Sequence, residues 1–127
     1  MNIIDSSAWL EVLVDGPNRS TFLKVIEEGE LVVPAITIFE VCKRVRLTQS
    51  AADAGRVESH MRRFTIIELT ADRASAAAAV SLKHKLPMAE SIIYAAALEF
   101  SAIVWTQDED FKGLAQVKFF KKASPSI

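Results

Sequence analysis

The chain has few of the residues and segments on which several protein classes depend. Its single cysteine, Cys42, excludes an internal disulfide bond, and no Cys/His spacing typical of a metal site occurs. Its four glycines form neither a phosphate-binding loop nor a nucleophile elbow, which argues against nucleotide-cofactor chemistry. A signal peptide and an apolar run of about 18 residues are also missing. We therefore expect a cytoplasmic protein without a membrane partner.

An excess of charge of either sign is absent too. Fifteen Lys and Arg residues against sixteen Asp and Glu residues give a net charge of −1, so a nucleic-acid partner must be bound by local groups of cations. Apolar residues, in contrast, are abundant, at half of the 127 positions. We expect one domain over residues 1–127 with a flexible tail at about residues 122–127.

Short apolar runs alternate with longer segments of helical periodicity. The runs predict strands at residues 2–4, 31–34, 64–69, 102–105 and 117–120. The periodic segments predict helices at residues 7–14, 18–28, 37–47, 50–63, 71–83 and 88–100. This alternation predicts a three-layer α/β/α sandwich with a mostly parallel sheet of four to five strands.

Acidic residues follow the ends of several of these strands. Asp5 follows the first strand, Asp108 and Asp110 follow the strand at 102–105, and Glu40 and Glu90 lie early in helices. Sheets of this type bind ligands beyond the carboxyl ends of their strands. We therefore expect these acids, from four separate segments, to converge on one edge of the sheet.

Two of these acids also have a structural explanation in the sequence. Asp5 can cap the helix that follows it. Glu40 stands three residues after Thr37, the spacing of a capping box, and four residues before Arg44, the spacing of an exposed ion pair. Either role would leave the acid without a part in chemistry.

The same holds for the remaining acids taken singly. Glu90 falls in a first helical turn, where any acid is favourable, and Asp108 and Asp110 suit an Asx turn. Together the acids are harder to explain, because two carboxylates about 4 Å apart repel by roughly 4 kcal/mol at an effective dielectric constant of about 20. A divalent cation removes this conflict, and oxygen ligands favour Mg²⁺ or Mn²⁺. The expected reaction is hydrolysis of a phosphodiester bond.

Four sequence motifs resemble those of a known family. They are "NIIDSSAWL" at residues 2–10, "PAITIFEV" at 34–41, "KLPMAESIIYAAA" at 85–97 and "AIVWTQDEDF" at 102–111. In order and spacing they are similar to the four acidic motifs of the PIN-domain family, above all to the small VapC toxins of toxin–antitoxin pairs.

The resemblance implies a function and a set of site residues. It implies a Mg²⁺- or Mn²⁺-dependent endoribonuclease that forms a homodimer, cuts RNA and is inhibited by a cognate VapB-type antitoxin. Asp5, Glu40, Glu90 and Asp108 match the catalytic, metal-binding acids, and Asp110 matches an auxiliary metal-binding acid. Ser6 and Thr106 match auxiliary hydroxyl positions.

Two positions depart from the family pattern. The third acid is usually Asp, whereas this chain has Glu90, whose extra methylene group moves the carboxylate further from the backbone. Because Mg²⁺ requires near-ideal octahedral geometry, we expect Mn²⁺ to be tolerated at least as well. Gln107 stands where relatives often have a basic residue, which removes one potential phosphate contact.

Cations near the acidic motifs are candidate contacts for RNA phosphates. Lys43 and Arg44 follow Glu40, and Lys83 and Lys85 precede Glu90. For each residue taken singly, an ordinary solvated helix face is the simpler explanation.

Other functions remain as alternatives at this point. A haloacid-dehalogenase phosphatase or a receiver domain also places acids at strand ends, but each needs a second acid where this chain has Ser6 and Ser7. A catalytically weak PIN-like module that binds RNA or protein is a further alternative, with Glu90 as its one sign. The sequence does not distinguish a ribonuclease from a deoxyribonuclease.

Overall fold

The computed structural model describes residues 1–123, and the end of the predicted tail lies outside the described residues. The strands are β1 (Asn2–Ile4), β2 (Val32–Pro34), β3 (Thr65–Ile67), β4 (Ile103–Thr106) and β5 (Val117–Phe119). The helices are α1 (Ser6–Leu13), α2 (Arg19–Glu28), α3 (Ala35–Thr48), α4 (Ala51–Met61), α5 (Ala71–His84) and α6 (Met88–Phe100). A short 3₁₀ helix spans Glu109–Phe111.

All strand pairs in the described chain are parallel. β4 pairs with β1 on one side and with β5 on the other, and β2 pairs with β3. A single parallel bridge between Asn2 and Leu31 connects the two groups, which gives the order β3-β2-β1-β4-β5. The predicted mostly parallel sheet of four to five strands is confirmed.

The helices cover both faces of this sheet. Successive residues of a strand point to opposite faces, and Ile3 and Ile4 accordingly belong to two different hydrophobic clusters. Side chains of α1 to α4 fill the cluster around Ile4, and those of α5 and α6 fill the cluster around Ile3. The predicted three-layer α/β/α sandwich is therefore confirmed.

Helix α3 begins two residues earlier than the sequence pattern predicts. Its N-cap is Pro34, whose extended backbone ends β2, so the helix starts directly at Ala35. Thr37 consequently lies inside the helix, fully buried, and its hydroxyl has no hydrogen-bond partner among the described residues. The capping box suggested for Thr37 and Glu40 is wrong, because neither residue stands at the helix end.

The two tryptophans pack within the fold. Trp9 is 2% exposed and its ring contacts those of His60 and Phe64. Trp105 stacks on Phe120, and its indole N–H donates to Asn2. Within residues 1–123, no helix is long and apolar enough to span a membrane.

Candidate metal centre

Asp5 is held at the carboxyl end of β1 by three hydrogen bonds. One carboxylate oxygen accepts from the Ser7 hydroxyl at 2.7 Å and from the Ala8 amide at 3.1 Å, so Asp5 caps α1 as the sequence suggests. The other oxygen accepts from the Thr106 hydroxyl at 2.8 Å. The capping role and a site role therefore coexist in Asp5, because each of its two oxygens has separate partners.

The carboxyl group of Asp5 is nearly inaccessible to solvent. The residue is 3% exposed, and this burial raises its pKa to about 7, although the three hydrogen bonds lower it. The negative charge of Asp108 raises the pKa further. Among residues 1–123, no cation is paired with this buried acid.

Three other acids form a compact group beside Asp5. Glu90, Asp108 and Asp110 each present one carboxylate oxygen, and these oxygens lie within 4.8 Å of one another. Glu90 comes from the first turn of α6, and the other two come from the loop after β4. We call these three residues the acid cluster.

The loop after β4 has the turn chemistry that its sequence predicts. The Asp108 carboxylate accepts from the Asp110 amide at 2.9 Å and caps the 3₁₀ helix. The Asp108 amide donates to the Thr106 hydroxyl, also at 2.9 Å. The Asx turn leaves Asp108 and Asp110 in the cluster, so the structural explanation and the site explanation again apply together.

Glu90 is the most perturbed member of the cluster. The pKa of Glu90 is raised to about 7, mainly by partial burial. A hydrogen bond with the Asp110 carboxyl group and the charges of Asp108 and Glu40 also raise it. These neighbours act in the same direction because each carries negative charge. The extra methylene group of Glu90 therefore does not remove it from the cluster.

Glu40 lies at the edge of the acid cluster. Its carboxylate accepts a short hydrogen bond from the Ser6 hydroxyl and adds to the negative charge at Glu90. It is not among the three acids whose oxygens come within 4.8 Å. The structure thus brings all five predicted acids to one edge of the sheet, with Glu40 and Asp5 outside the acid cluster.

In the described part of the chain, no cation forms an ion pair with these five acids. The ion pairs found within residues 1–123 are Arg19–Asp15, Arg56–Asp53, Arg62–Glu58 and Arg73–Glu99. The pair suggested between Glu40 and Arg44 is not among them, since Glu40 is turned toward Ser6. A group of carboxylates without a counter-charge fits a divalent cation that prefers oxygen ligands, such as Mg²⁺ or Mn²⁺.

Three residues around the acids escaped the sequence analysis as site residues. The Ser7 hydroxyl donates to Asp5 and accepts from the backbone N–H of Gln107 at 3.0 Å. The Gln107 side chain in turn accepts from the Asn18 side chain at 2.7 Å. The repeated serine in "DSS" was a signal for Ser7, whereas the contact between Asn18 and Gln107 joins residues 89 positions apart and leaves no local pattern.

The four predicted RNA contacts are all exposed but differ in position. The Lys43 ammonium group lies 5.7 Å from the centre of the Phe39 ring, and Arg44 lines a groove with Ser7 and Gln107. Lys83 is in the last turn of α5 and Lys85 caps its end. Of the four, Arg44 is the one that lines a cavity next to residues bonded to Asp5.

A cavity of about 690 Å³ lies away from these acids. It is bounded by α5, α6 and the segment after β3, and its rim carries the ion pair between Arg73 and Glu99. None of the five predicted acids lines it.

Comparison with known proteins identifies the architecture. Residues 3–117 match the family described as PIN domain. A comparison with curated protein sequences gave no significant match.

Solved structures share the fold across their full length. A toxin–antitoxin complex from Klebsiella pneumoniae is 22% identical with a TM-score of 0.79, covering 95% of this chain and 99% of the other. VapC20 of Mycobacterium tuberculosis, described as a sarcin–ricin loop cleaving toxin, is 12% identical with a TM-score of 0.72, covering 92% and 98%. VapBC from Salmonella typhimurium, solved bound to DNA, is 11% identical with a TM-score of 0.70, covering 95% and 98%.

Proposed function

Because the chain belongs to the PIN-domain family, we propose that it is a VapC-type toxin, an endoribonuclease that hydrolyses RNA phosphodiester bonds with Mg²⁺ or Mn²⁺. The observation that carries this proposal is the acid cluster of Glu90, Asp108 and Asp110 next to the buried Asp5, to which no cation among the described residues is paired. A cluster of this kind destabilises the fold unless a bound cation or protonation offsets its charge.

Each acid has a proposed role in holding the cation. Glu90, Asp108 and Asp110 supply oxygens directly, since theirs are already within 4.8 Å of one another. Asp5 and Glu40 complete the negative edge from β1 and α3. When bound, the ion polarises a phosphate oxygen and lowers the pKa of a water molecule.

Hydroxyl groups keep these acids in position. Thr106 connects Asp5 to the amide of Asp108, and Ser6 holds Glu40. Preorganised carboxylates of this kind lose little entropy when a ligand binds. Lys43, Arg44, Lys83 and Lys85 are proposed to contact the phosphates of RNA.

A cognate VapB-type antitoxin and a homodimer are part of this proposal. The similar structures include complexes titled as toxin–antitoxin or VapBC. This chain also exposes large apolar side chains close to two of the acids in sequence, Phe39 at 61% before Glu40 and Met88 at 74% before Glu90. Contiguous patches of exposed apolar side chains are typical of surfaces that bind a protein partner.

The test is cleavage by the purified protein freed of antitoxin. Total cellular RNA and single-stranded DNA are incubated with and without Mn²⁺, and an Asp5→Asn variant is run in parallel. Glu109→Gln is the matched control, because Glu109 is an exposed acid between two cluster residues but does not belong to the cluster. We expect cutting of RNA that needs the ion, is lost in Asp5→Asn and persists in Glu109→Gln.

Other outcomes would change the proposal. Equal cutting with EDTA or in Asp5→Asn would refute the mechanism, and cutting of DNA alone would change the substrate. RNA binding without cleavage would favour the alternative of a catalytically weak PIN-like binding module, for which the replacement of Asp by Glu90 is the one indication.

A further inference from the structure

A groove lies directly beside the acids, between α1, the second half of α3 and the segment that follows β5. Its volume is about 510 Å³, within the range of about 300–1,000 Å³ that is usual for small-ligand sites. Ser7, Leu10, Gln49 and Gln107 are among its lining residues. We call it the α1–α3 groove.

The α1–α3 groove shares a wall with the acid site. Ser7 lines the groove, and its hydroxyl also donates to Asp5. Gln107 lines it as well and lies between Thr106 and Asp108 in the chain. The groove and the acid site are therefore neighbours through Ser7 and Gln107.

Two cations from different elements line the groove. Arg44 lies one helical turn after Glu40 on α3, and Lys122 comes from the segment after β5. Both side chains are exposed, and neither forms an ion pair with an acid of the described part of the chain. Their charge is available for an anion.

Lys122 is placed at the groove by contacts on the residues before it. The Phe120 amide donates to the Thr106 carbonyl at 2.9 Å, and the Asn18 side chain donates to the Lys121 carbonyl at 3.1 Å. These bonds hold the segment against the carboxyl end of β4. From the sequence, Lys122 was assigned to the predicted tail and had no role.

The lining of the groove fits a nucleotide. Leu10, Leu13 and Val14 offer apolar surface, and the exposed Gln49 offers an amide group. A nucleotide has an apolar base face, polar base edges and a phosphate on either side. Glu11 also lines the groove, but its buried carboxylate accepts from the backbone N–H of Asn18 at 2.8 Å. The carboxylate is therefore directed to the loop before α2.

We propose that the α1–α3 groove binds the RNA nucleotide next to the scissile phosphate, with Arg44 and Lys122 contacting the phosphates that flank it. This inference rests on the proposed ribonuclease function. It adds Lys122 and the groove to the substrate-binding surface, and it gives Arg44 a defined position along the bound RNA.

The test uses Arg44→Gln, Lys122→Gln and the double variant with a labelled single-stranded RNA that contains one mapped cleavage site. Arg46→Gln is the matched control, because Arg46 is an exposed cation of the same helix that does not line the groove. It lies near Cys42, whose side chain contacts α4. We expect KM to rise about 3- to 10-fold in each single variant, with the effects multiplying in the double variant. The slope of log(kcat/KM) against log[salt] should flatten by about 0.7 for each cation removed.

The outcomes separate this inference from the proposed function. If the wild-type protein does not cut RNA with Mn²⁺, the proposed function itself fails. If the wild-type protein cuts and both variants keep its KM and salt slope, the groove assignment alone is wrong. Unchanged RNA kinetics with weakened binding of the co-purified antitoxin would overturn it too, because the groove would then bind protein.

Discussion

The hydroxyl group of Thr106 donates to Asp5 at 2.8 Å. The same oxygen accepts from the amide of Asp108 at 2.9 Å, so one buried side chain fixes an acid of β1 and an acid of the loop after β4. Strand register makes this possible, because Ile4 pairs with Trp105 and the next residues of both strands lie side by side. One hydroxyl group thus links two acids that are distant in sequence.

Replacement of Thr106 by Val is expected to reduce both activity and stability. Val has a similar shape but leaves the buried Asp5 oxygen and the Asp108 amide without a partner, which costs about 1–3 kcal/mol in unfolding free energy. We expect RNA cleavage to fall by about 10- to 100-fold, as for groups that orient metal ligands. Urea denaturation and cleavage rates measure the two effects. Thr106→Ser keeps the hydroxyl, and equal losses in both variants would contradict this role.

Glu90→Gln is expected to stabilise the metal-free protein while weakening its binding of metal. The substitution removes a charge that Asp108 and Glu40 repel, so the melting temperature without metal should rise by a few degrees. Loss of a ligand oxygen should weaken Mn²⁺ binding by about 10-fold or more. Thermal melts with EDTA and calorimetric titration with Mn²⁺ give the two values. Weaker stability without metal would show that Glu90 is structural.

The stability of the metal-free protein should decline as the pH rises from about 5 to 8. The pKa of Asp5 is about 7 in the folded protein against 3.8 ordinarily, so above pH 4 the folded state binds more protons than the unfolded chain. The stabilisation that this extra bound proton gives to the folded state is lost as the pH rises through 7. Melting temperatures in EDTA across this range measure the effect.

The matched variant for this pH dependence is Asp5→Asn. It removes the titrating group, so its melting temperature should vary less with pH than that of the wild-type protein. Saturating Mn²⁺ should also flatten the wild-type curve. A melting temperature that rises with pH in EDTA would contradict the assignment of Asp5 as an unneutralised buried acid.

Two glycines should respond to alanine in opposite directions. A Cβ atom at Gly16 would overlap the buried Glu11 carboxylate, which would have to give up its bond with the Asn18 amide. We expect Gly16→Ala to destabilise the fold by about 1–3 kcal/mol. Gly55 lies within α4, and a Cβ atom there would meet nothing within 4 Å. We expect Gly55→Ala to raise the free energy of unfolding by about 1 kcal/mol, because alanine favours the helix more than glycine does. Denaturation midpoints test both, and a neutral Gly16→Ala would show that Glu11 has room to move.

Much of the fold followed from local patterns in the sequence. The bounds of α6 are those predicted, because Pro87 before Met88 and a helical run ending at Phe100 mark both ends. The start of α3 was missed, since Pro34 both ends β2 and is the N-cap of the helix, without a side-chain capping bond. Local signals therefore located the helices and strands. The predicted start of a helix was displaced where the helix follows a strand without a loop.

The candidate site was predictable in its acids but not in their supports. Asp5 and Asp108 stand after apolar strands, and the carboxyl ends of parallel strands share one edge. The bond between Asn18 and Gln107 and the position of Lys122 depend on how distant segments pack. Such contacts have no periodicity in the sequence.

The central claim is that the carboxylates at this edge share a divalent cation. Crystals of the antitoxin-free protein soaked in Mn²⁺ at pH 8 would locate the ion by its anomalous signal. We predict a peak among the oxygens of Glu90, Asp108 and Asp110 that is absent from crystals of the Asp108→Asn variant. Full occupancy elsewhere on the protein, or no peak at saturating Mn²⁺, would contradict the account.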